Sequence, residues 1–201
     1  MHSFLRLSVA ACVLLSASAA FAADPLVDVD WVKANLDAED VVFVDLRPKP
    51  SYLEAHIPGA VHTQYGGLED EWRTKVGAVR GLVRDHDLIA EHLGEIGISN
   101  DDHVVLIPAG TSSSDMGAAT RIYWTMNYLG HDEVSILNGG MAAYVAVLDA
   151  DKKPRNPLQA GAVDVDEEDF VAMPRPEMLL SAEVVEGLAA PGRIARRQSH
   201  G

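Results

Sequence analysis

Three short runs along the chain, 41–46, 103–107 and 134–137, are apolar without alternation and rich in β-branched residues. Strands buried on both faces have this pattern. Asp30 stands where the N-cap of a short helix over 31–36 belongs. Pro48 and Pro50 end the first run, and a helical turn over 51–55 stops at Ile57-Pro58-Gly59. A further short strand fits 61–65. Asp85 caps a helix whose Leu88, Ile89, Leu93 and Ile96 share one face, and Gly97 ends it. After the loop 108–114, a helix over 115–129 stops at Gly130, and Gly139-Gly140 precede a helix over 141–148. Continuous strands, each followed by a helix, predict an α/β fold: a mostly parallel central sheet with helices on both faces.

Beyond Asp149 the pattern changes. Residues 150–176 hold Pro154, Pro157, Pro174 and Pro176 and the acidic run 164–169, broken only by Val165. This reads as a linker without a core set of its own. One more capped helix fits 181–188, and the basic stretch 193–201 has no core pattern. The expected organisation is residues 1–22 as a leader, 23–150 as one folded domain, and 151–201 as a linker and a further helix.

The leader is argued from Arg6, the apolar run 7–15 and the Ala20-x-Ala22 ending, which together make a secretory signal peptide. The run falls short of the roughly 20 apolar residues that span a bilayer. Val9-Ala10-Ala11-Cys12 has the letters of a lipoprotein box, but Cys12 is followed by more apolar sequence rather than a polar start. The expectation is a periplasmic or secreted protein with no membrane segment after cleavage. The 201 residues carry 16 Lys and Arg against 30 Asp and Glu, a formal charge of −14. That balance argues against a nucleic-acid partner, which needs a concentrated basic face. Cys12 is the single cysteine, so the chain beyond the leader has no disulfide, thiolate nucleophile or cysteine metal ligand. No cofactor is expected. His56 and His62 lack the spacing of a metal site and are expected to be solvated or hydrogen-bonded.

Three segments carry chemistry. Val42-Phe43-Val44-Asp45-Leu46-Arg47 leads to His56-Ile57-Pro58-Gly59-Ala60. The run 104–107, a loop and the helix from Ala118 lead to Leu129-Gly130-His131. Last comes Val134-Ser135-Ile136-Leu137-Asn138-Gly139-Gly140-Met141-Ala142-Ala143-Tyr144. In this order they resemble the rhodanese (thiosulfate sulfurtransferase) domain over residues 26–148. The stretch 93–101 is most like the first domain of two-domain members, which commonly lacks the cysteine that the second domain carries. The stretch 179–185 resembles the opening helix of such a second domain, so the resemblance implies a truncated second domain here.

Asp45 and Arg47 lie at a strand's C-terminal end, where α/β sheets place their ligand crevice. A bond between them that ties loops together is favoured over direct substrate contact. Gly139-Gly140 are expected to permit close backbone packing. The resemblance implies a catalytic cysteine just after the strand 103–107, ringed by backbone N–H groups and a helix N-terminus that lower its pKa and hold a sulfur oxyanion. The matching position here is Pro108 or Ala109, and neither has a nucleophile. A serine such as Ser112 does not replace it, because no base partner is evident. What remains is a candidate anion-binding loop, Gly110, Thr111, Ser112, Ser113 and Ser114. Its bland alternative is a capped turn with Ser114 as N-cap and Asp115 favourable to the helix dipole.

The resemblance therefore implies a sulfurtransferase-family protein that is catalytically silent in this chain, binding a small sulfur oxyanion or a protein partner. The alternatives are persulfide transfer when a cysteine-bearing second domain completes it, or a non-functional fragment of such an enzyme.

Overall fold

The computed structural model describes residues 23–66 and 71–189. The expected signal peptide, Cys12 and the basic stretch 193–201 lie outside the described residues.

The central sheet has five parallel strands: β1 (Leu26–Val27), β2 (Val41–Asp45), β3 (Val61–His62), β6 (His103–Ile107) and β7 (Val134–Leu137), in the order β1-β7-β6-β2-β3. The continuous apolar runs are explained by burial on both faces. On one side Val44, Val104, Leu106, Val134 and Ile136 pack under helices α3 (His86–Glu95) and α4 (Ser113–Tyr128). On the other, Phe43, Val105, Ile107 and Leu137 pack under α1 (Val29–Ala34) and α5 (Gly140–Val145). Helix α2 (Lys49–Glu54) joins β2 to the Ile57-Pro58-Gly59 turn.

Several boundaries move. Helix α1 is capped by Asp28, whose side chain accepts from Trp31 N, two residues before the expected Asp30. Asp85 caps α3 as expected, with its side chain accepting from Asp87 N. Of the expected apolar face, Ile89 and Leu93 are buried, whereas Leu88 is 42% exposed. Helix α4 begins two residues early, with Ser112 rather than Ser114 as N-cap.

Two features were not legible. An antiparallel hairpin, β4 (Arg73–Val76) and β5 (Val79–Val83), stands apart from the main sheet. Its turn is Gly77-Ala78, with Gly77 at φ +61°, as short hairpin loops require of their first residue. The second is the course of residues 150–175, which are extended as a linker should be but laid against the domain. Gln159 exchanges backbone hydrogen bonds with His56, Glu168 N donates to Gly94 O, and Met173 N and Arg175 N donate to Leu129 O and Tyr128 O. Phe170 is buried in the α3/α4 core, its ring tilted against that of His131 with centroids 5.6 Å apart. Arg175 makes a bidentate pair with Asp132, at 2.7 and 2.6 Å. Gly94 and Gly130 lie so close to the carbonyls of Glu168 and Met173 that a Cβ would strike them. The segment has no core of its own, as expected, but Phe170 adds an apolar side chain to the core of the domain. Beyond it, α6 (Ala182–Ala189) buries none of its residues.

Candidate functional site

Adjacent strands β2 and β6 send the chain to opposite faces. From β2 it turns toward the α1/α5 side, where Ile57 and Ala60 are core residues, and from β6 it enters α4 on the other side. A crevice opens where such connections diverge at the carboxyl ends of parallel strands. Here it is a cavity of about 390 Å³, lined by Arg47, Tyr65, Arg73, Pro108, Ala109 and Asp115 among others.

Asp45 and Arg47 meet as the strand-end spacing suggested. Arg47 Nη2 donates to Asp45 Oδ2 at 2.6 Å and to Ala55 O at 2.6 Å, and Arg47 N donates to Asp45 Oδ1 at 2.9 Å. Asp45 is 1% exposed, and this fork-on-fork pair satisfies both of its oxygens. The geometry ties β2 to the end of α2, while part of the Arg47 side chain still faces the cavity.

The loop after β6 is held from below. Pro108 O and Ala109 O accept from Met141 N (2.8 Å) and Ala142 N (3.0 Å) of α5. Gly110, at φ +77°, lies against the Gly139 carbonyl, where any side chain would collide, and Gly140 lies equally close to Pro108 O. Gly139-Gly140 thus have the packing role expected of them.

From above, the loop is closed by its own helix. Asp115 Oδ2 accepts from Thr111 N (3.0 Å), Thr111 Oγ1 (2.8 Å) and Ser112 N (2.9 Å), and Asp115 N donates to Ser112 Oγ at 3.2 Å. This is a capping box, in which a carboxylate and the N-cap hydroxyl satisfy the helix's first donors reciprocally. The Thr111 hydroxyl bond, with the neighbouring donors, holds the Asp115 carboxyl below its ordinary value. Two of the backbone donors expected to hold an oxyanion therefore already face a carboxylate. Ser113 and Ser114 are exposed in the first turn of α4.

The histidines serve the frame. His56 is fully buried rather than solvated, stacked on Tyr52 at 4.2 Å, with Nδ1 2.8 Å from Tyr52 O. His62 Nε2 lies 2.9 Å from Arg47 O. His92 was not singled out in the sequence. Its Nε2 bonds Thr63 Oγ1 at 2.8 Å, and that oxygen also accepts from Trp72 Nε1 at 2.9 Å, which anchors the hairpin base to α3. Tyr65 and Arg73 were missed as cavity residues. The Arg73 guanidinium lies 3.9 Å from the Tyr65 ring centroid, and both precede or enter a hairpin whose Gly-x turn was the available signal.

A parallel α/β sheet with its crevice beside a glycine-pinned loop defines the class of protein. The Rhodanese-like domain model matches residues 28–147, and the chain belongs to that family. The 3-mercaptopyruvate sulfurtransferase of Escherichia coli K12 is 26% identical over 164 residues, covering 77% of this chain and 53% of the relative. Thiosulfate/3-mercaptopyruvate sulfurtransferase 2 of Arabidopsis thaliana is 30% identical over 132 residues, covering 61% and 36%. The crystal structure of a 3-mercaptopyruvate sulfotransferase from Escherichia coli superposes with a TM-score of 0.66 at 23% identity, over 83% of this chain and 63% of that one. The chain spans about half the length, or less, of these curated relatives.

Proposed function

We propose that this chain is a non-catalytic rhodanese-like module that acts with a cysteine-bearing rhodanese domain. The observation that carries the reading is the end of β6, where Pro108 and Ala109 face the cavity and Asp115 closes the loop behind them. Persulfide formation needs a thiolate to attack the sulfane sulfur, breaking its bond to the leaving group. Cys12, inside the expected leader, is the single cysteine of the chain. A hydroxyl is no substitute, since an alkoxide without a base partner is inaccessible near neutral pH. The leader's pattern supports a periplasmic or secreted location for the module.

Thiosulfate–cyanide and 3-mercaptopyruvate–cyanide assays test the reading directly. The protein without its leader is expected to show no turnover above a heated control, and turnover would overturn the proposal. Pro108→Cys and Ala109→Cys, made separately, sharpen it: where the loop keeps the family's geometry, one of them should react with thiol reagents faster than free cysteine does. A second reading is favoured by one observation, the two guanidinium groups of Arg47 and Arg73 at the cavity. They support weak binding of thiosulfate or sulfate, with a Kd of about 1 mM, or about 4 kcal/mol. Amide shifts of residues 109–117 during a sulfate titration measure it.

A further inference from the structure

The hairpin β4–β5 presents two different faces. Its register pairs Arg73 with Val83, Thr74 with Leu82, Lys75 with Arg80 and Val76 with Val79, the extra residue being Gly81 at φ +74°. Side chains alternate across a strand, so Arg73, Lys75, Arg80 and Val83 share one face. Thr74, Val76, Val79 and Leu82 share the other. Val83 packs on the α3/α4 core and Arg73 lines the cavity. The opposite, apolar face is open, with Val76 64% and Val79 57% exposed. Lys75 and Arg80 are exposed and directly opposed, and neither side chain has a partner among the described residues. Like charges directly across an antiparallel pair oppose its formation, and a two-stranded ribbon is marginal alone. From Trp72 to Arg84 there are four cations and no acid, within a chain of formal charge −14.

The same chain carries the complement. Between α3 and the segment 150–175, the strap laid across the domain, lies a cleft of about 260 Å³, edged by Glu91, Glu95, Glu167, Glu168 and Asp169. Its floor is Ala90 and Phe170, and no cation lines it. All five carboxylates are on exposed residues. The cleft thus joins an apolar floor to an acidic rim, as the hairpin tip joins a Val76–Val79 pair to a Lys75–Arg80 pair.

We propose that the hairpin tip of one copy seats in the acidic cleft of a second copy, so that the chain self-associates through this contact. The pairing neutralises the opposed Lys75 and Arg80 and covers the Val76–Val79 pair. With a two-fold axis, each copy donates one hairpin and accepts one, an arrangement that closes. Salt acts in two directions. At very low ionic strength the net negative charge of both copies opposes approach. At about 0.1 M, where the Debye length is about 10 Å, that long-range repulsion is screened while the short contacts persist, and at about 1 M the contacts weaken too.

Sedimentation equilibrium of the protein over a concentration series, at about 0.1 M and about 1 M salt, tests this. Wild type is expected to form dimers at the lower salt and to dissociate at the higher. Lys75→Glu with Arg80→Glu should weaken association by about tenfold or more, as like-charge juxtaposition does. Glu167→Lys with Glu168→Lys should do the same. Mixing the two double variants should restore association, because each hairpin then meets a cleft of opposite sign. All four positions are exposed, and circular dichroism verifies that the variants fold. A monomeric wild type at every concentration, or association indifferent to both reversals, would overturn the proposal. So would a monomer that binds a synthetic peptide of residues 162–171, which would assign the hairpin to an acidic segment of another protein.

Discussion

Two segments border the same cavity and satisfy their polar groups in opposite ways. In the loop 108–115, backbone and side-chain donors close on one carboxylate, Asp115, and the carbonyls below close on α5. In the hairpin, the cations Lys75 and Arg80 face each other across the strands, and the Val76–Val79 pair faces solvent. The first segment is where the resemblance places the catalytic cysteine, and its Thr111 and Ser112 donors already have a carboxylate partner. The second lies outside every motif and is left open. Donors that already face a carboxylate attract an anion less, whereas charges that oppose each other gain from a partner of the other sign.

The widest break in this comparison comes from one substitution made in both places. Gly110→Ala drives a Cβ onto the Gly139 carbonyl at φ +77° and should cost about 3–5 kcal/mol by urea unfolding. Gly77→Ala at the hairpin turn meets nothing within 4 Å and should cost only about 1 kcal/mol, the left-handed backbone penalty. Equal losses at the two sites would show that the loop is not pinned.

The strap resembles the loop in being closed, since its backbone and Phe170 are both engaged. Phe170→Ala is expected to lower stability by about 3 kcal/mol. A near-neutral result in calorimetry would return residues 150–175 to the status of an independent linker.

Acidification should separate the two segments. Burial lowers the pKa of His92 at the hairpin base, and of His103 and His131 elsewhere, from 6.5. A histidine with a lowered folded value contributes stability fully above about pH 6.5 and loses it as pH falls, because the unfolded chain takes up the proton first. The melting temperature should therefore decline from pH 7 to 5, with the Trp72 indole resonance shifting in that window. Asp115 has its value lowered from 3.8, so the loop's cap persists to below that pH. Loop amides that shift together with Trp72 would dissolve the distinction.

Smaller effects sharpen it. Asp115→Asn keeps an acceptor but loses the charge at the helix start, and should cost about 0.3–1 kcal/mol. It should also make sulfate binding at 109–117 tighter and less salt-sensitive. Lys75→Glu replaces a repulsive cross-strand pair with an attractive one and should stabilise the hairpin by about 0.2–1 kcal/mol. Destabilisation by that change would mean that Lys75 has a partner in the isolated chain.

The strands at the centre of the sheet and the crevice between them were legible because both depend on local signals. Continuous β-branched runs at 103–107 and 134–137 coincide with β6 and β7, and the Asp45–Arg47 spacing brought the pair together at a strand end. The N-cap was expected at Ser114 rather than Ser112, because three successive serines offer the same hydroxyl. Only the reach of Asp115 back to Thr111 and Ser112 selects among them. The hairpin was missed because Val76, Val79 and Leu82 face solvent and only Val83 reaches the core, which removes the periodic contrast that marks a strand.

By itself, then, the sequence determined the α/β class, the rhodanese-like motifs and the lack of a thiol at the end of β6. Residue identity and short-range periodicity carry all three. Tertiary structure alone decided that Asp115 takes the Thr111 and Ser112 donors, that Phe170 joins the core from the strap, and that Lys75 opposes Arg80 beside an exposed apolar pair. The physical reason is that each of these depends on which groups the folded backbone places face to face. The bulge at Gly81, the glycine contacts under Gly110 and the course of the strap set those juxtapositions, and none has a period or spacing that the linear chain displays.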